Sequence, residues 1–519
     1  MRCLCVRHAV YELQAGWTFS RFKRPKICLE EPSRLHFVLP SYIKAPPLHI
    51  TDDDLRYIQV KGVLNLPCPA TCEKLWKAYF LLVHPIIPIL DREQVLQSLH
   101  LIDSTNKISL LLFYCVMSTA QLFLDAQEGC GTISASAQSM FEKARVLHDL
   151  HWETDQLTIL RSVLLMTYFP RSTRGHRNPG HWVSTAVSVA YRLNLHRDPA
   201  ALAISPRQKS LRKLIWWCVY IRERMLILDF ETPWIICERD YDVPMLTMDD
   251  IALAPLLPTP PTSKPGSSNV DYVTQQRQLG IIFIEKAKLA VLMSRLVPIS
   301  MTSWDWAEDD FDHHWPRYPP RAPDLLELDQ IDGDLDCWIA NIPIEVLGTQ
   351  ESLTLQDIAS ARDNLTYLHY GTLILLYHIA SHHSASLRWL QSAPPSHLPS
   401  EYTLAKAMEA TASLVDLIED LALHRITTYV QLTGLSVARP LLMWKILNHL
   451  GPDCPAPLES KRISFLLEKL EHYDPWVTRA FSYIASRSRS FQDAEFIGLP
   501  TCNAFDAASD DCSLDTVNF

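Results

Sequence analysis

The chain has 519 residues, 48% of them apolar, and a formal net charge of −10. That is enough apolar surface for one large domain, or two closely joined ones, with irregular ends. Only 14 residues are Gly, well under the usual ~7%, which argues against phosphate-binding Gly loops and turn-rich β architectures and for helices. The acidic balance excludes a chain devoted along its length to nucleic acid, which would be basic at least locally.

The longest uninterrupted apolar runs, such as 110–117, fall far short of the ~20 residues that span a bilayer. The start, MRCLCVRHAVYELQAG, lacks the apolar core of a secretory signal. Thirteen Cys scattered singly fit reduced thiols rather than a disulfide framework. The expectation is an intracellular protein without a membrane span.

Taken in order, residues 1–26 carry Arg2, Arg7, Arg21, Lys23, Arg24 and Lys26 against one acid, Glu12. Such a stretch reads as weak phosphate contacts, a nuclear-import patch or a solvated tail. Residues 30–70, rich in Pro, read as a linker or a draped arm. From Glu73 the pattern turns helical, with Leu75, Trp76, Tyr79, Phe80 and Val83 on one face. His84-Pro85 and Pro88 break it, and Asp91 with Gln94 opens a second helix as a capping box. Helices are expected at about 107–124, 137–150 and 155–169, the last with Thr154 as N-cap. A basic loop at 171–177 precedes a helix from His181 that ends at Asn194.

The stretch 211–229, LRKLIWWCVYIRERMLILD, has neither Gly nor Pro. Leu211, Leu214, Ile215, Cys218, Met225 and Leu226 recur at helical spacing, and between Leu214 and Ile221 every side is apolar. Such a helix is buried among others. Arg222, Glu223 and Arg224 follow, and long charged side chains are seldom buried unpaired. Ion pairs with neighbouring helices are therefore expected. Asp240, Asp242 and Pro244 read as a cap-and-turn segment, with no further ligand for a metal.

A Pro-rich insert at 249–269 leads to a helix of about 273–297. A second insert, 302–323, holds Asp309, Asp310, Asp312, His313 and His314, whose loop setting and spacing do not make a closed metal site. Further helices are expected near 324–340, 354–381, 400–424, 427–450 and 458–490. The segment 491–519 has six acids and no Lys or Arg, with Phe496, Phe505 and Phe519 interspersed. It reads as an activation tail or as an ordinary disordered terminus.

Four ordered boxes carry a resemblance. They are KARVLHDLHWETDQ with Ala144, Arg145, Trp152, Glu153 and Asp155; the run Leu195, His196, Arg197, Asp198; the helix with Arg212, Trp216, Trp217, Tyr220, Arg222 and Arg224; and DYDVPML, with Asp240, Asp242 and Pro244. Together they resemble the middle homology region of fungal binuclear zinc-cluster transcription factors, most of all the cutinase transcription factor subgroup. Weaker similarity runs from about 75 to 450. The family commonly has Gly where Asn194 stands, and Asn is the next most tolerant residue at a left-handed helix cap. The subgroup has two arginines where Glu231-Thr232 precede Pro233.

The resemblance implies a nuclear transcription regulator that works with other regulators, and the family's targets include metabolic and secondary-metabolite gene clusters. A small-molecule effector fits the same reading. The family's DNA-binding module needs six thiolates as C-x2-C-x6-C repeated, around two Zn ions. No C-x2-C pair occurs in these 519 residues. Specific DNA recognition by this chain alone is therefore not expected, and no cofactor or metal is.

The expected fold class is all-α: a large irregular multi-helical domain at 71–490, with a basic, Pro-rich irregular arm at 1–70, two Pro-rich inserts and an acidic disordered tail at 491–519. Two other readings stay open, an all-α enzyme of terpene-synthase type and a ligand-sensing or interaction module that does not bind DNA. The first needs carboxylates spaced on a helix to hold Mg²⁺; its nearest candidates are 309–312 and 52–54, without the full spacing. Gly434-Leu435-Ser436-Val437-Ala438 is one residue from a nucleophile elbow but lacks the strand-turn-helix context.

Overall fold

The computed structural model describes residues 39–100, 107–127, 133–169, 178–230, 235–253, 269–300 and 325–347. Among these the chain is α-helical, and the one strand-like contact is a parallel bridge between Ile43 and Ile108. The elements are α1 (Asp52–Val60), α2 (Pro69–Ala78), a π-helical turn (Tyr79–Val83), α3 (Arg92–His100), α4 (Leu110–Gln127), α5 (Ala135–Asp149), α6 (Gln156–Met166), α7 (Pro179–Arg192), α8 (Pro206–Phe230), α9 (Met248–Leu253), α10 (Asn269–Ser300), α11 (Leu325–Ala340) and α12 (Ile344–Leu347). Short 3₁₀ turns lie at Pro199–Ala201 and Glu238–Asp240. The expected helices at 354–381, 400–424, 427–450 and 458–490, the acidic tail, the basic start and the 302–323 insert lie outside the described residues.

Two helices share the centre. Every side chain from 110 to 120 on α4 and from 214 to 226 on α8 is buried. Helix α4 packs on α2, the π turn, α5 and α6, while α8 packs on α7, α9 and α10. Each fully enclosed Leu, Ile or Phe on them contributes on the order of 1.5–3 kcal/mol. The sequence singles out α8 as the axis. The structure gives α4 an equal part, because its apolar run is just as free of a polar face.

Residues 39–66 do not hang free. Leu55 and Ile58 on α1 are buried in the core, and the bridge to Ile108 pins the segment before α1. The Tyr114 hydroxyl donates to the carbonyls of Val63 and Asn65. The irregular arm expected up to residue 70 thus contains a capped helix. Thr51 caps it, its hydroxyl accepting the Asp54 N–H and its own N–H given to the Asp54 carboxylate. The acidic run 52–54 is therefore the first turn of a helix, where carboxylates suit the positive end of the dipole.

Other boundaries follow from caps. Asn178 accepts from His181 N at 2.9 Å, with Pro179 next to it at the first helical position, so α7 starts two residues before His181. The N-cap of α6 is Asp155, not Thr154: its carboxylate accepts the N–H of Thr158 at 3.0 Å. The Thr154 N–H goes instead to Glu153 Oε1 at 2.9 Å. Gln94 N donates to Asp91 Oδ1 at 3.2 Å, as the pattern predicts.

Three helices end in the same left-handed turn. Gly62, His151 and Asn194 have φ of 66°, 55° and 51°. In each, the following N–H reaches back to the third-last helical carbonyl, as in Val63 N to Ile58 O, Trp152 N to Leu147 O and Leu195 N to Ala190 O, all 2.9–3.0 Å. This is the Schellman pattern. After His151 it delivers the chain into Trp152 and Glu153 of the first box, and after Asn194 into the second box, which begins at Leu195.

Candidate functional site

The site forms where α8 carries charge into the apolar interior. Glu223 and Arg224 are both 1% exposed at their relative side-chain surfaces and pair with each other. Glu223 Oε1 also accepts the N–H of Ile235 at 2.7 Å. Arg224 Nη2 donates to Ile236 O at 2.7 Å and to Glu238 Oε1 at 3.1 Å. Glu238 further accepts the hydroxyls of Tyr220 and Tyr241. Adjacent helical side chains ordinarily diverge. These two converge because the segment 235–238 crosses α8 and offers an N–H to one and a carbonyl to the other.

The ion pairs expected of Glu223 and Arg224 with neighbouring helices are thus made instead with each other and with the segment that follows α8. Arg222 does reach a neighbouring helix. Its Nε and Nη2 donate to the hydroxyl and carbonyl of Thr167, at the end of α6, at 2.9 and 2.8 Å.

Burial pushes the Glu223 carboxyl above its ordinary range, against the opposing pull of Arg224 and the backbone N–H groups. Burial also acts on Glu238, but bonds from Tyr220, Tyr241 and Arg224 outweigh it and hold that carboxyl below its ordinary range. Glu223 and Arg224 are enclosed together, and removing either would strand the other, whereas Glu238 lies half exposed at the edge of the network.

The remaining boxes close around this centre. Trp217 Nε1 donates to Pro244 O at 3.1 Å. The Tyr241 ring stands 5.5 Å from Trp216, 6.1 Å from Trp217 and 5.4 Å from Tyr220. Arg212 Nη2 donates to Leu193 O at 2.6 Å, closing the end of α7. Asp242 stitches the second box to the fourth: its N–H goes to His196 O at 3.1 Å, its Oδ1 accepts the Asp198 N–H at 2.8 Å, and its Oδ2 lies 3.6 Å from Arg197. Asp198 in turn caps the short 3₁₀ turn at Ala200. The His196 ring lies 4.6 Å from Tyr191. Burial and the neighbouring Arg197 hold its pKa below the usual value despite Asp242 and Asp240.

The first box lies apart from this centre. Trp152 is buried. Glu153 Oε1 takes the N–H groups of Thr154 and Asp155, both at 2.9 Å, while Oε2 pairs with Lys44 at 3.2 Å. Gln156, next in the chain, bonds Arg192 on α7. This box fastens the 39–50 segment and the start of α6.

The resemblance points to Arg222, Arg224, Trp216 and Trp217, but not to Glu238 or to Asp250. Asp250 on α9 accepts from Ser210 at 2.9 Å and pairs with Lys213 on α8. Glu223 carried a signal, an acid inside an otherwise apolar run. Lys286, buried on α10, carried none, because a single Lys in a long helix looks like any surface residue. Among the described residues no group of three His, Cys, Asp or Glu is placed to hold a metal ion. Their cysteines are free thiols, and no described helix is long and apolar enough to cross a membrane.

A helical layer closed by a Glu–Arg–Glu network, with Glu223 and Arg224 buried and Glu238 half exposed, and by a latched return segment defines an all-α domain. Residues 76–281 match the model of the fungal specific transcription factor domain. Over these residues the helical unit is similar to that family. The chain is 28% identical over 440 residues to cutinase transcription factor 1 beta of Fusarium vanettenii, covering 82% of this chain and 49% of that protein. It is 25% identical over 475 residues to transcription factor cpaR of Aspergillus oryzae, covering 88% and 77%. A shorter match, 31% over 182 residues, is to the fusaric acid cluster transcription factor FUB12 of Gibberella moniliformis, covering 34% and 26%. The chain spans about half the length of the cutinase factor.

Proposed function

We propose that this chain is a nuclear regulator of transcription, and that its helical domain is the regulatory part of that activity rather than an enzyme. The observation that supports this reading is the coincidence of the family match at 76–281 with the helical core. Relatives along 82% and 88% of the chain are named transcription factors. In this reading Trp216, Trp217, Arg224, Asp242 and Pro244 hold the 235–247 segment on α8, Arg212 holds the end of α7 and Arg222 the end of α6, so we assign all seven a scaffolding role. Trp152, Glu153, Asp155, His196, Arg197 and Asp198 fasten the helix ends around it.

The partners in this reading are other transcription regulators, and these 519 residues contact DNA only indirectly or weakly. Specific readout needs a rigid element that presents side chains to base edges. Without C-x2-C pairs the 519 residues lack the ligands for the family's zinc-built element. The six basic residues in 1–26 support only salt-sensitive phosphate contacts. FUB12 is named for a biosynthetic cluster, and control of a metabolic gene cluster is the corresponding proposal for this chain.

The test is a deletion strain whose transcriptome is compared with its parent. A coherent set of genes changes if the proposal holds; an unchanged transcriptome under conditions in which the protein is made contradicts it. A mobility-shift titration of the purified chain at physiological salt examines the DNA claim. Sequence-selective retardation at nanomolar protein, insensitive to chelator, contradicts it.

A further inference from the structure

Three rings join the second box to α7 and α8. The His196 ring lies 4.6 Å from that of Tyr191, in the last turn of α7, and 6.3 Å from that of Trp216 on α8. The Tyr191 and Trp216 rings are 6.0 Å apart. Tyr191 Oη, His196 Nδ1 and Trp216 Nε1 are all enclosed, and among the described residues none of them has a hydrogen-bond partner. Native interiors leave few polar atoms in this state, and each one raises the energy of the closed arrangement. Three in one cluster mark a joint that opening would relieve, because water would then reach all of them.

His196 is also a fastening point of the return segment. Its carbonyl accepts the Asp242 N–H at 3.1 Å, and the Asp242 carboxylate takes the Asp198 N–H at 2.8 Å. The Tyr241 ring, next in the chain, lies 5.5 Å from Trp216. A shift of His196 out of the joint moves the residue on which Asp242 is held.

Of the three groups only the imidazole changes charge near neutrality. In the neutral ring one nitrogen is bare, so the enclosed Nδ1 can be no worse than an unmet acceptor. In the charged ring both nitrogens carry N–H, and the enclosed one becomes a charged donor without an acceptor, the costlier state. Arg197, beside it in the chain, opposes the charge, while Asp242 and Asp240 of the return segment favour it. From α7 the ring faces the Tyr191 phenol, and from α8 the uncharged Trp216. Burial comes first and, with Arg197, outweighs the two carboxylates, so the closed joint favours the neutral form.

We propose that His196 is a proton-operated joint: when its imidazole takes up a proton, the ring leaves Tyr191 and Trp216, and the segment 240–242 comes off the second box. Linkage fixes the direction. The closed joint holds the imidazole pKa below the ordinary 6.5, and the open one lets it return there. Above 6.5 both states are neutral and closure is unimpaired. As the pH falls from 6.5 through the closed-state pKa, the open state binds more protons and gains by up to about tenfold per pH unit. Below the closed-state pKa the gain levels off.

The test is hydrogen exchange of the full chain from about pH 8 to about pH 5, read as protection factors so that intrinsic exchange is removed. In the wild type the segment 240–242 loses protection several-fold as the pH falls below 6.5, while α4 keeps its own. His196→Gln cannot charge, and its protection at 240–242 stays level relative to α4. Lys286 and the other titrating groups are common to both chains and cancel in the comparison. By NMR the wild-type His196 ring, assigned through its own backbone amide, titrates below 6.5. Protection at 240–242 that is level in the wild type, or that falls equally in His196→Gln, overturns the proposal. So does a His196 ring that titrates at 6.5 or above, a result that stands even where the variant fails to fold. None of these readouts depends on whether the domain regulates transcription.

Discussion

Arg222 holds Thr167 with two hydrogen bonds, at 2.9 and 2.8 Å, and joins the middle of α8 to the last turn of α6. Its guanidinium carbon lies 4.0 Å from the centroid of the Tyr168 ring. The planar fork and the stacking are properties of Arg that Lys does not share. Arg222→Lys should lower stability by about 2–4 kcal/mol, seen as an earlier midpoint with an unchanged slope in urea unfolding. A loss under ~0.5 kcal/mol would show that this contact is incidental.

The latch should fail when its carboxylate is neutralised. Glu223→Gln leaves Arg224 enclosed without its nearest counter-charge, and should cost about 3 kcal/mol. Trp217→Phe removes the bond to Pro244 O together with part of a buried ring, and should cost about 2–3 kcal/mol. Hydrogen exchange separates the two effects from global loss. The amides of Ile235, Ile236 and Asp242 should lose protection first, while those of α4 keep theirs. Uniform loss across α4 and 235–247 would mean that the segment is no independent latch.

Two left-handed residues offer the opposite outcome. His151 and Asn194 take φ of 55° and 51° with side chains that disfavour it. Replacement by Gly relieves the Cβ clash and should stabilise by up to ~1 kcal/mol, more at His151 than at Asn194, since Asn tolerates the region better. Ala at either position should destabilise. Thermal melts of the four variants check the order.

The fold was legible where the apolar pattern was long. Helices α4, α5, α8 and α10 fall within a few residues of expectation, because burial on one or all faces fixes their period. The two Trp of α8 and the left-handed Asn194 were legible for the same kind of reason, a local rule with one good solution. Helix α1 was not. Its stretch is crowded with Pro on both sides, and the capping box of Thr51 and Asp54 is easily passed over among neighbouring acids. The partners of Glu223 and Arg224 were not legible either. They depend on where residues 235–238 cross α8, a long-range fact that no local pattern encodes. Lys286 shows the same limit, since only packing reveals that its face of α10 is buried.

Stability should also depend on pH through Lys286. Its pKa is about 7 when folded and near 10.5 in its ordinary state. Between those values the unfolded chain binds the proton and the folded one does not, so stability from this group rises with pH across that window. Below pH 7 both states are protonated and the cost of burial is fully present. Lys286→Met should therefore be more stable than wild type by a few kcal/mol at pH 6, with the gap closing toward pH 10. A gap independent of pH would place the charge of Lys286 elsewhere.

The regulatory assignment is tested most directly by tethering. The full chain is fused to an unrelated sequence-specific DNA-binding domain and placed upstream of a reporter in a fungal host. Reporter output should depart from that of the DNA-binding domain alone, up or down, and Glu223→Gln, which opens the latch, should diminish the departure. An output identical to that of the bare DNA-binding domain, with the fusion present in the nucleus at equal level, would contradict a role in transcription.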